Sequence, residues 1–87
     1  MAHFAKIDNG IVGQVIVVSN ETLGDLSFPD SEPVGQEFIA SIGLSGTWKQ
    51  TSYNAKFRGK YAGSGDTYDA DLDKFVAPEV IAPVTTK

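Results

Sequence analysis

The chain has 87 residues, seven of them Lys or Arg, eleven Asp or Glu and none Cys, for a net charge of −4. That length allows one domain with a small core, and the lack of cysteine excludes disulfides and thiolate zinc sites. No stretch approaches the roughly 20 apolar residues that a membrane-spanning helix needs, and the negative balance argues against general coating of DNA.

Ala2 to Val18 reads as a β-hairpin. Asn9-Gly10 supplies the turn, because both residues tolerate the positive φ of a type I′ loop. The second arm, Ile11 to Val18, is dense in β-branched residues. A two-residue loop places Ile7 opposite Val12, Phe4 opposite Val15 and His3 opposite Ile16. One face then carries Ala2, Phe4, Val15 and Val17, and the other Ile7, Val12, Ile16 and Val18. Both faces are apolar, so each needs cover: a helix on one, and another sheet, chain segment or subunit on the other. The opening residues alternate as a strand does and lack the charged and apolar regions of a secretion leader. Synthesis in a reducing cytoplasm is the expectation.

Ser19 to Asp30 is a polar loop with Asn20, Gly24 and Pro29. A short helix follows. Asp30 or Ser31 is placed to cap it, Glu32 and Glu37 suit its first turns, and Pro33 is acceptable there. Val34, Phe38 and Ile42, with Ile39 alongside, form its apolar stripe, and Gly43 or Gly46 ends it. Gly35 counts against the helix. Thr47 to Tyr53 alternates as a strand. Ala62 to Asp66 is a turn, and Thr67-Tyr68-Asp69 and Lys74-Phe75-Val76 are two short strands around Ala70 to Asp73. The fold class is therefore α+β: an N-terminal hairpin, one short helix and further short antiparallel strands in a single domain over 1–78. Residues 79–87 form an extended C-terminal tail, suited to tie onto a neighbour, since Pro78 and Pro83 prevent regular pairing.

The inventory for catalysis is thin. His3 is the sole histidine, on a terminal strand with no nucleophile elbow nearby, and reads as a sheet-edge or interface residue. Asp69, Asp71 and Asp73 have calcium-like spacing. An EF-hand loop beginning at Asp69 would need Gly and Glu where Lys74 and Val80 stand, so an exposed acidic turn is the plainer reading. Ala62-Gly63-Ser64-Gly65 lacks a Walker lysine. No cofactor is implied, and the expected class is a non-enzymatic binding domain.

The uneven charge is more informative. Lys49, Lys56, Arg58 and Lys60 fall in one stretch without acids, interleaved with Trp48, Tyr53, Phe57 and Tyr61. Such a pattern can track a nucleic-acid strand, but the acidic remainder of the chain would repel a polyanion. Docking on an acidic protein surface, that of a like subunit included, fits better. The interface candidates are Trp48, Lys49, Tyr53, Lys56, Arg58, Lys60 and Tyr68. Trp48 is expected to be buried, in the core or at a subunit contact.

Three blocks carry a resemblance: Met1 to Asp8 with Val15 to Val18; Gly46 to Asn54 with Phe57-Arg58, Tyr61 to Gly63 and Thr67 to Ala70; and Phe75 to Pro78. Together they resemble a family of small, functionally uncharacterised proteins encoded by marine phages, chiefly cyanophages. Many members continue with proline- and tryptophan-containing repeats, which this chain lacks. The resemblance implies a virion component made in the host cytoplasm. The expected function is a capsid decoration or cement protein that binds coat subunits. The alternatives are a tail- or fibre-associated attachment module and a free regulator of a host protein.

Overall fold

The computed structural model describes residues 1–78; the tail expected over 79–87 lies outside the described residues. In chain order the elements are β1 (Ala2–Asp8), β2 (Ile11–Val18), α1 (Ser31–Ser41), β3 (Thr47–Thr51), β4 (Thr67–Asp69) and β5 (Lys74–Val76). The strands form one antiparallel sheet in the order β3-β1-β2-β4-β5. Because β2 and β3 are both antiparallel to β1, they run the same way, and α1 lies in the crossover between them. The α+β class and the N-terminal hairpin are as the sequence leads one to expect.

The hairpin turn has φ of 52° at Asn9 and 79° at Gly10, the left-handed pair that a type I′ loop requires. The register corrects the expected one. Ile7 does face Val12, but Lys6 faces Gln14, leaving Gly13 as a bulge. Beyond the bulge Phe4 lies opposite Ile16 and His3 opposite Val17. The slip exchanges faces along half of β2, since side chains alternate with a period of two. Ala2, Phe4, Ile16 and Val18 therefore share one face with Leu23, Val34, Phe38, Ile39 and Trp48. Ala5, Ile7, Val12 and Val15 share the other with Ala62, Tyr68 and Phe75. The helix covers the first face. The chain's own segment after β3, with β4 and β5, covers the second.

α1 also differs in detail. The residues it buries are Ser31, Gly35 and Ile39, and Ile42 is exposed. Gly35 is the reason. A Cβ there would lie 2.7 and 2.8 Å from Cε1 and Cε2 of Phe4 and closer still to Cζ. The Phe4 ring rests on bare helix backbone and is fully enclosed. Asp30 makes no side-chain capping bond, and the Ser31 hydroxyl donates instead to Gln50 Oε1 at 2.7 Å.

Candidate functional site

The loop after β3 is organised by Arg58, a residue with left-handed backbone (φ 57°). Its guanidinium forms a two-pronged pair with Glu32 of α1, with Nη2 to Oε1 at 3.0 Å and Nη1 bonded to Oε2. Nη1 also donates to Gln50 O of β3 at 2.9 Å, and Nε to Asp73 Oδ1 at 2.9 Å. The backbone carbonyl of Arg58 accepts from Phe75 N of β5 at 2.8 Å. One residue thus ties the two edge strands of the sheet to each other and to the helix. Phe28 and Phe57 stack at 3.8 Å, with the guanidinium 5.0 Å from the Phe28 ring. Only 6 % of the Arg58 side chain and 14 % of the Glu32 side chain remain exposed.

The electrostatics follow the packing. Burial pulls the Arg58 guanidinium down, but the hydrogen bonds and charges of Glu32 and Asp73 outweigh it and hold the group above its ordinary value. Tyr68 donates to Asp73. Burial, then that bond, pushes its phenol up to about 12. The Tyr68 bond, with the bond and charge of Arg58, holds the Asp73 carboxyl below its ordinary value against the opposing effect of burial.

The structure therefore redistributes the residues singled out from sequence. Arg58 is interior and paired, so the basic docking segment expected over Lys49 to Lys60 loses one of its four cations. Lys60 pairs with Asp66 at 2.6 Å, and Lys49 sits 5.9 Å above the Tyr68 ring. Lys56 is exposed and makes no ion pair among the described residues. Trp48 is buried as expected, at 4 % exposure, with its indole N–H donating to Ser45 O at 3.1 Å. It is a core residue of this chain and no part of an open surface. Tyr68 is half-buried against the second core. Tyr53 is 67 % exposed.

Tyr53 belongs to a group that sequence reasoning did not assemble. His3 stacks on it with centroids 5.5 Å apart and planes 24° apart. Tyr61 meets both edge-on, at 5.3 Å from His3 and 5.2 Å from Tyr53. Thr51 explains the convergence. It faces His3 across the β1–β3 ladder, and its Oγ1 accepts from Ala62 N at 2.9 Å, which returns Tyr61 to the strand that Tyr53 has just left. A tight turn intervenes, with Ala55 N and Lys56 N bonded to the carbonyl and hydroxyl of Ser52, both at 3.0 Å. Val17, paired with His3 and 52 % exposed, continues the patch across β2. Burial and the nearby N-terminal ammonium hold His3 below its ordinary value, which favours a neutral ring. The result is an amphipathic aromatic surface at one end of the second sheet face.

No family model, curated protein or solved structure matches this chain. Among the described residues no pocket forms. No three His, Asp or Glu side chains converge there to hold a metal ion. In the acidic turn, Asp69 Oδ1 accepts from Asp71 N at 3.0 Å and Leu72 N at 3.2 Å, and Asp73 is engaged with Arg58 and Tyr68. These carboxylates shape the β4–β5 turn.

Proposed function

We propose that this domain is a non-enzymatic accessory structural protein of a phage particle, a decoration or cement protein that docks on coat subunits through its aromatic patch. The resemblance of its three sequence blocks to marine phage proteins supports the setting. The observation that carries the binding role is the convergence of His3, Tyr53 and Tyr61 beside Val17 on an open sheet end. Tyrosine supplies a large amphipathic contact at low entropic cost, the kind of anchor in which interface energy concentrates. The rings are pre-ordered by Thr51 and by one another, so little freedom is lost on contact.

Two measurements test the reading. Mass spectrometry of purified particles should find the protein at a copy number comparable with the coat subunit. A few copies would move it to the tail, and its absence would refute a virion role. Replacing Tyr53 with Ala should weaken binding to emptied particles by about 2 kcal/mol, roughly thirtyfold. The ring is mostly exposed, so stability should barely change. Unaltered binding by this variant would remove the patch from the interface.

A further inference from the structure

The outer edge of β3 is closed by side chains. Three successive backbone groups of Trp48 and Gln50 face away from β1, and each has a side-chain partner. Gln36 Nε2 donates to Trp48 O at 2.6 Å, Gln50 N donates to Glu32 Oε2 at 2.7 Å, and Arg58 Nη1 donates to Gln50 O at 2.9 Å. Glu32 and Gln36 stand one helical turn apart on the same side of α1. Between them they engage Gln50 N and Trp48 O, the two outward groups that flank Lys49 on the edge strand. The row occupies the positions a neighbouring strand would take, while Ser31, on the buried face of α1, bonds the Gln50 side chain beneath it.

An uncovered edge strand is a template for adding another chain, and proteins commonly block it. We propose that the Glu32–Gln36 row, completed by Arg58, is an autoinhibitory cover. It keeps β3 from pairing with the β3 edge of a second copy, and its removal converts the chain into a self-associating one. The cover acts along β3 and does not depend on what the aromatic patch binds.

The test compares the intact chain with Gln36→Ala, Glu32→Ala and the double variant Glu32→Ala/Gln36→Ala. Alanine preserves the helix, and Trp48 fluorescence reports that the core is kept. In the intact chain the Gln50 amide should be protected from hydrogen exchange. In the double variant, measured dilute, its exchange should be about tenfold faster. Sedimentation should then show a monomer for the intact chain and a concentration-dependent rise in mass for the variants, largest for the double. Because the chain has no cysteine, Thr47→Cys, at an exposed position on β3, permits a spin label at that edge. Label-to-label coupling should appear in the opened variant alone. A folded double variant that stays monomeric overturns the proposal, as does association without coupling at position 47. If the double variant fails to fold because Arg58 loses its partner, Gln36→Ala decides. It removes no charge, and a strictly monomeric Gln36→Ala with an unchanged Trp48 environment is equally fatal.

Discussion

Replacing Gly35 with Ala sets helix propensity against packing, and the two predict opposite signs. In an exposed helix the change would stabilise by about 1 kcal/mol. Here the new methyl would enter the Phe4 ring, with Cε1 and Cε2 at 2.7 and 2.8 Å. Phe4 has no exposed surface to retreat toward, and Ile16, Trp48 and Ile39 belong to the same packed cluster. Forced overpacking costs about 1–3 kcal/mol, and contacts this close belong at the upper end. Subtracting the propensity gain leaves a net loss of about 2 kcal/mol. For a domain of this size that lowers Tm by roughly 10 °C. Urea unfolding followed by Trp48 fluorescence measures it as a shift in midpoint at constant slope. A companion substitution, Phe4→Leu, trims the ring that obstructs the methyl. In the double variant the loss should therefore be less than the sum of the two single losses. A Gly35→Ala protein as stable as the parent, or more so, would refute the packing argument.

Further expectations follow from other parts of the fold. Arg58→Met leaves Glu32 as an uncompensated, largely buried carboxylate and should cost about 3–5 kcal/mol by the same unfolding assay. Trp48→Ala opens a cavity beneath α1 and should cost about 3–5 kcal/mol; near-parental stability would mean that the indole is not core. Tyr68 has its folded pKa raised to about 12 from 10.0, so the stability it contributes is complete below pH 10 and lost as pH rises toward 12. An absorbance titration should show a tyrosine ionising near pH 12 that disappears in Tyr68→Phe and moves down in Asp73→Asn. Asp73 is shifted the other way, below 3.8. Its contribution is present above that value and fades as pH falls through the folded pKa, so Asp73→Asn should flatten the acid limb of the stability profile.

The parts of the molecule fixed by neighbours in sequence were legible, and those fixed by distant partners were not. Asn9-Gly10 specifies its turn locally, and Thr67 to Asp69 and Lys74 to Val76 are strands as read. The Gly13 bulge exchanged the faces of β2 beyond it. Its signal was present, since a glycine inside a β-branched run marks a bulge or a close approach. Gly35 counted against the helix because its partner, Phe4, is 31 positions away and propensity cannot register it. Arg58 read as one of four surface cations because Glu32, which takes up its charge, lies on a separate element. The aromatic patch was missed for a related reason. His3 and Tyr53 are 50 positions apart, and only the β1–β3 pairing puts them side by side.

β2 and β4 are in register only at Ile11 and Thr67, helped by loop bonds such as Val12 N to Asp66 O at 2.7 Å. On one side of that seam, Ala2, Phe4, Val18, Leu23, Ile39 and Trp48 make a core drawn wholly from the first 48 residues. On the other side, Ala62 and Phe75 pack onto strands already assembled. Such a division orders events in time. During synthesis the hairpin, helix and β3 can collapse together before the last strands exist, and the later segment then folds over a prepared surface. In the finished protein the same seam is the expected starting point of partial opening. The amides of β4 and β5 would exchange ahead of those in β1, exposing Ala5, Val12 and Val15 while the ring of Phe4 stays sealed beneath the helix.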